Sequence, residues 1–333
     1  LFSAAQIGHA DMSAPNLVNS LMDRLILPGA AGFTRFGYAC RKRRLPPIET
    51  TLEDRTVVVT GATSGLGLSA ACSLAALHAR VVLVGRNPEK AEMARREVIA
   101  ASGNENVVVQ LADLGLMKEV RALAARLLES EPAIHVLVNN AAILPGKREL
   151  TAEGLEQTFA TDLLSPYLLT ELLLPRLRAS APARIVNVLS GGMYLSGLEA
   201  DDPEYETGKF DGSRAYARAK RALMVLTEQW AQELEGTGVV VNAMHPGWAD
   251  TPGVVDSLPG FHSLMKPLLR SPEQGADTIV WLAAAAAAAT PNGQFFLDRE
   301  PHVTTVLPNT GGDARQRRTL RATLEEYAAR STG

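Results

Sequence analysis

"VVVTGATSGLGLSAA", residues 57–71, leaves a β-branched stretch, passes glycines at 61, 65 and 67, and enters a helix-forming segment. A turn that tight, pressed against a phosphate, needs residues without a β-carbon. The helix behind it offers unpaired N–H groups and the positive end of its dipole. Strand, glycine spacing and helix together read as the phosphate-binding turn of a dinucleotide fold, against the alternative of a purely structural turn.

Outward from this turn, β-branched runs at 56–60, 80–85, 106–111, 134–139, 183–188, 238–244 and 293–297 alternate with helical stretches near 66–78, 88–102, 115–130, 153–178, 213–235 and 272–287. That alternation predicts parallel βαβ units. Strands that are apolar almost throughout predict a sheet covered on both faces. The expected fold is a Rossmann-type, doubly wound α/β domain with a mostly parallel, seven-stranded sheet, spanning residues 52–305. Residues 1–51 form an N-terminal arm, and 306–333 a C-terminal extension with an exposed amphipathic helix at 313–330.

The 333 residues are 46% hydrophobic and 21% charged, an ordinary globular composition. A net charge of -3 supplies no global positive field, so nucleic acid is not expected as a partner. Cys40 and Cys72 give neither a disulfide framework nor metal-ligand spacing, which predicts reduced thiols, a cytoplasmic setting and no metal. The longest uncharged apolar stretch, 278–290, falls well short of the roughly 20 residues that cross a bilayer. It reads instead as a buried, alanine-rich helix. In the arm, residues 16–44 set Leu17, Leu21 and Leu25 at helical spacing, then Phe33, Phe36 and Tyr38, then four basic residues. This pattern fits either peripheral contact with a membrane surface or an arm packed on the domain or a partner subunit.

Two residues bear on which dinucleotide the turn would take. Where a fold selecting NAD commonly places an acid after the second strand, this chain has Arg86, and a guanidinium suits a 2′-phosphate better. NADP(H) is therefore favoured over NAD(H). Asp113, just past the third strand, is placed either to accept from an adenine amino group or to cap the helix starting near Leu114.

At the other end of the chain, Tyr216 and Lys220 stand four apart in a helical stretch and so share one face. A neighbouring cation pulls a phenol below its ordinary pKa of about 10, which makes Tyr216 a credible general acid/base. Ser190 ends the strand at 183–188 on the carboxyl edge of the sheet, where its hydroxyl could hold a carbonyl oxygen beside that phenol.

The motifs, in order, are Thr60-Gly61 with Gly65 and Gly67, Asn139 to Ala141, Ser190, Tyr216 with Lys220, and Pro246-Gly247. Over about residues 52–300 the chain thereby resembles the short-chain dehydrogenases/reductases. The resemblance implies that Tyr216 exchanges the proton, that Lys220 lowers its pKa and holds the nicotinamide ribose, and that Ser190 orients the carbonyl. It implies cofactor contacts from Gly61, Thr63, Ser64, Gly65, Leu66 and Gly67 in the turn. Further contacts are implied for Arg86, Asp113, Leu114, Asn140 and Ala141, and for Pro246, Gly247, Trp248 and Thr251 after the sixth strand. Homo-oligomers built on the helices at 153–178 and 213–235 are a further implication. One departure stands out, because Asp162 occupies the place of an asparagine whose backbone carbonyl helps hold a water on the lysine. Asp162 either keeps that contact with an added charge or breaks the proton relay.

Met193, Tyr194, Leu195, Trp248, Val254, Val255, Leu258, Phe261 and Met265 are expected to line the pocket beyond the catalytic groups. An apolar lining predicts a hydrophobic carbonyl or alcohol as substrate. The expected function is an NADP(H)-dependent oxidoreductase; the alternative is a catalytically impaired, NADP-binding regulatory or scaffolding protein.

Overall fold

Helix α1 (Arg35–Lys42) opens the computed structural model, which describes residues 31–257 and 259–330. Leu17, Leu21 and Leu25 of the arm lie outside the described residues. The first half of the domain runs β1 (Thr56–Thr60), α2 (Gly65–Ala76), β2 (Arg80–Gly85), α3 (Pro88–Ser102), β3 (Val107–Leu111) and α4 (Met117–Ser130). The second half runs β4 (Val136–Asn139), α5 (Ser165–Ala179), β5 (Ala183–Val188), α6 (Gly212–Glu233) and β6 (Val239–Met244). After these come α7 (Pro252–Ser257), α8 (Pro259–Met265), α9 (Pro272–Ala284), β7 (Phe295–Leu297), β8 (Glu300–His302) and α10 (Ala314–Arg330).

The sheet order is β3-β2-β1-β4-β5-β6-β7-β8, with parallel pairing up to β7. Strand side chains alternate between faces, so Val57 and Val59 enter one core while Val58 enters the other. The core under Val57 and Val59 is filled by α2, α3 and α9; the opposite core is filled by α4, α5 and α6. Strands β1, β2, β4, β5 and β6 are therefore largely buried on both sides, which explains their mostly apolar sequences, whereas the edge strand β3 is only partly buried. The strand order reverses between β1 and β4, and the crevice outside their carboxyl ends is where such sheets bind ligands.

Three expectations need correction. The sheet has eight strands, because β8 folds back antiparallel on β7 with Leu297 opposite Glu300. The two-residue turn uses Asp298 and Arg299 at φ of +51° and +64°, a conformation usually announced by Asn-Gly. Pro301 hides the strand further, being tolerated only because β8 lies at the edge. The helix expected over 153–178 is broken by a π-helical turn, Ala160–Leu164, ahead of α5. That turn carries Asp162, and π-turns concentrate at functional sites. Finally, α10 is not simply exposed: Leu320 and Leu324, one turn apart, are fully buried against the α5/α6 side. No helix among the described residues is long and apolar enough to cross a membrane.

Candidate active site

Thr60 ties the ends of β1 and β4 together. Its hydroxyl donates to the Val138 carbonyl at 3.1 Å and accepts from the backbone N–H of Asn140 at 2.9 Å and of Ala141 at 3.1 Å. The Asn140 amide returns a bond to the Thr60 carbonyl at 2.8 Å. This knot holds the glycine turn, where Gly61 and Gly65 adopt φ of +64° and +54°. A β-carbon on Gly67 would lie 2.3 Å from the Gly61 carbonyl oxygen. Gly67 thus lets α2 close on the turn and does not itself line the cleft, contrary to its expected place among the cofactor contacts. Ser64, at the N-cap of α2, makes no side-chain cap, so first-turn N–H groups stay available to an anion.

The turn opens on a cleft of about 1580 Å³ that runs from Arg86 to Tyr216 and Lys220. Thr63, Ser64, Leu66, Arg86, Asp113, Leu114, Asn140 and Ala141 all line it, as do Pro246, Gly247, Trp248 and Thr251. Arg86 is exposed on the rim, and Lys90, in the first turn of α3, lines the same cleft. At Asp113, Oδ1 accepts from the Gly115 N–H at 2.9 Å. The cap of α4 belongs instead to Glu153, whose two oxygens accept from Met117 and Lys118 N–H at 2.6 and 3.1 Å. The helix therefore starts at Met117 rather than near Leu114.

At the reaction end, Ser190, Tyr216 and Lys220 converge. The Ser190 hydroxyl lies near enough to the Tyr216 phenol to influence its titration, and accepts from the Gly192 N–H at 3.2 Å. The ammonium of Lys220 lies 5.3 Å from the centre of the Tyr216 ring. Burial is the strongest influence on the phenol and raises its pKa; Lys220 lowers it, Asp162 raises it and the nearby Ser190 hydroxyl lowers it. The net direction is upward, the reverse of the expected lowering, because desolvation outweighs the one cation.

Asp162 is fully buried beneath the cleft, off its wall. Its Oδ1 accepts from the Ile143 N–H at 2.8 Å, and Oδ2 stands 3.3 Å from Lys220 Nζ. The contact with the lysine thus runs directly through the side chain. Burial lifts the Asp162 carboxyl to about 6 against the lowering by Lys220.

The pattern described as short chain dehydrogenase matches residues 55–259. The chain belongs to the short-chain dehydrogenases. It is 42% identical over 306 residues to dehydrogenase/reductase SDR family member 12 of Bos taurus, covering 91% of this chain and 96% of that one. It is 34% identical to human retinol dehydrogenase 13, covering 75% and 78% of the two chains. Among solved structures, the RhlG/NADP active-site complex of Pseudomonas aeruginosa superposes with a TM-score of 0.62 at 25% identity, over 75% of this chain and 97% of that one. The enzyme class is that of an NAD(P)-dependent oxidoreductase acting on CH–OH groups.

In this short-chain dehydrogenase the expected lining holds in part. Tyr194, Leu195 and Trp248 face the cleft. Met193 does not: the 3₁₀ turn Gly191–Leu195 sends it into the core, fully buried. Val255 is 40% exposed and, like Met265, stands off the cleft wall, because α7 and α8 lie at its outer edge. The side chains of Val254, Leu258 and Phe261 lie outside the described residues. Phe33 and His245 also line the cleft, a place the sequence did not give them. Phe33 comes from the arm, where its apolar pattern does not say which surface it meets. His245 precedes Pro246 in a strand-ending position that usually signals packing.

Proposed function

We propose that this short-chain dehydrogenase interconverts a carbonyl and an alcohol on a hydrophobic small molecule with NADP(H), through Ser190, Tyr216 and Lys220. The observation that carries it is the convergence of those three groups, the serine hydroxyl near the phenol and the ammonium 5.3 Å from the same ring, in an apolar cleft. The residues present suit a dinucleotide. Gly61 and Gly65 leave room for a pyrophosphate at the open N-terminus of α2, and Thr251 packs over Gly65 with its methyl 3.3 Å from where a β-carbon would sit. When bound, the nicotinamide supplies or accepts a hydride at C4.

This chain's own groups manage the proton. Ser190 and Tyr216 donate hydrogen bonds to the carbonyl oxygen, and negative charge that develops there draws the phenolic proton across. The Lys220 ammonium then stabilises the phenolate left behind. Asp162 is a positioning residue: its carboxylate fixes Nζ under the ring and offsets a buried charge. A directly held lysine favours an intact but altered relay over a disabled one. Because an ionised Asp162 opposes the phenolate, Asp162→Asn is expected to move the acid limb of alcohol oxidation about one pH unit downward. A pH–rate profile that is unchanged would remove Asp162 from the relay.

Arg86 and Lys90 at the rim support NADP(H) over NAD(H). Arg86→Asp is expected to weaken NADPH binding about tenfold or more while leaving NADH within about twofold, as read by calorimetry. Equal losses for both would refute a 2′-phosphate contact.

A further inference from the structure

We propose that residues 31–34 of the N-terminal arm are a wall of the substrate end of the cleft, with Phe33 and His245 as its specificity-determining side chains. The substrate this wall fits has an extended apolar body to lie on Phe33 and an oxygen substituent to bond His245. This rests on the oxidoreductase reading and names the part of the molecule that chooses the substrate.

The placement comes from Gly191, next to Ser190. A β-carbon there would lie 2.9 Å from His245 Nε2 and 3.2 Å from Phe33 Cε2, so both rings abut the loop that carries the serine. Phe33 meets His245 edge-on at 4.5 Å between centroids and Trp248 at 5.9 Å. All three line the cleft.

The arm is fastened there by an unusual investment of buried charge. Arg270, 1% exposed, donates to the carbonyls of Gly32 at 2.6 Å, Phe33 at 3.0 Å and Thr34 at 3.3 Å. It pairs in bidentate fashion with the equally buried Asp298 at 2.5 and 2.9 Å, and Asp298 also receives Arg41 at 2.7 Å. The Trp248 N–H closes the set on the Phe33 carbonyl at 2.8 Å. Tyr38 is 2% exposed under the Arg270 guanidinium. Fixing three successive carbonyls of an arm that precedes the family-matched region sets one side chain, Phe33, rigidly against the catalytic loop.

His245 supplies the polar half. It is 3% exposed, and neither ring nitrogen has a hydrogen-bond partner among the described residues. Burial, then Arg270 and His302, hold the imidazole at about 3, so it is neutral at working pH with one donor and one acceptor unspent. Such a group beside an apolar ring is suited to a hydroxyl or carbonyl oxygen of a ligand.

The test uses the full chain loaded with NADP⁺ and a short-to-long series of linear primary amides, unreactive stand-ins for aldehydes, titrated by calorimetry. Phe33→Ala should weaken the longest amides about tenfold and the shortest less than about twofold, with Phe33→Leu in between. In a matched series of amides carrying one hydroxyl along the chain, His245→Phe should weaken the hydroxylated amides about tenfold and the plain ones less than about twofold. NADPH affinity and the thermal midpoint are measured alongside to show that each variant is folded. If Phe33→Ala shifts short and long amides alike, or His245→Phe shifts plain and hydroxylated amides alike, the wall is refuted. Turnover of the matching aldehydes by the unaltered chain is scored separately. Its absence would sink the oxidoreductase reading while the amide titrations still decide the wall.

Discussion

Tyr216→Phe is expected to lower kcat/KM for reduction of apolar aldehydes about 10²–10⁴-fold, with the NADPH dissociation constant changed by less than about threefold. The phenol is the group at this site that lies beside the serine hydroxyl and is set against the lysine, so losing its oxygen removes the proton and half of the carbonyl's hydrogen bonds. The ring itself stays, and α6 keeps its packing. The loss should therefore fall on kcat more than on KM. Nicotinamide absorbance at several aldehyde concentrations separates the two. Turnover within about threefold of the unaltered chain would mean that another group moves the proton.

Lys220→Met is expected to cost the fold about 3–5 kcal/mol at pH 8, through Asp162 rather than through catalysis. With the ammonium gone, a carboxylate at 0% exposure keeps a single backbone N–H as its partner. The effect depends on pH. In the unaltered chain the Asp162 carboxyl sits at about 6, above its ordinary 3.8, so the folded state binds more protons than the unfolded between about pH 4 and 6. This group's contribution to stability therefore declines as pH rises through that window and levels off above it. Without Lys220 the pKa climbs further, and the decline continues to higher pH. The loss in Lys220→Met should be small at pH 5 and large at pH 8, and adding Asp162→Asn should recover most of it. Urea unfolding at both pH values checks this. A loss equal at the two, untouched by Asp162→Asn, would mean that the lysine stabilises by packing alone.

Most of the layered architecture was written in local sequence. Apolar runs such as Val57–Val59 and glycine punctuation at 61, 65 and 67 need no tertiary knowledge to read, since burial on both faces and a phosphate turn each leave a short-range mark. Features that depend on one backbone dihedral or one extra residue left no such mark. Strand β8 is three residues with a proline inside, reached through a turn of Asp298 and Arg299, in which Arg299 stands where a left-handed turn is usually announced by glycine. The π-turn at Ala160–Leu164 adds a residue to one helical turn, which periodicity cannot register.

The site divides along the same line. Tyr216 and Lys220 were visible because helical spacing puts them on one face, and Ser190 because it ends a strand. What they meet was not visible. Asp162 reads as a charge out of place until its carboxylate is seen 3.3 Å from Lys220, and the upward shift of the phenol follows from burial that spacing does not reveal. Phe33 was read as part of an apolar pattern suited either to a membrane surface or to an arm packed on the domain or a partner subunit. In the fold it turns into the cleft, Tyr38 is buried, and Phe36, at 59% exposure, is the aromatic of the three left facing solvent.

A crystal structure of the NADP⁺ complex tests the central claim most directly. The account predicts the nicotinamide ring beside Ser190 and Tyr216, its ribose within hydrogen-bonding reach of Lys220 Nζ, and the 2′-phosphate on Arg86. A nicotinamide lodged away from these three side chains, or a dinucleotide bound outside the glycine turn, would contradict it.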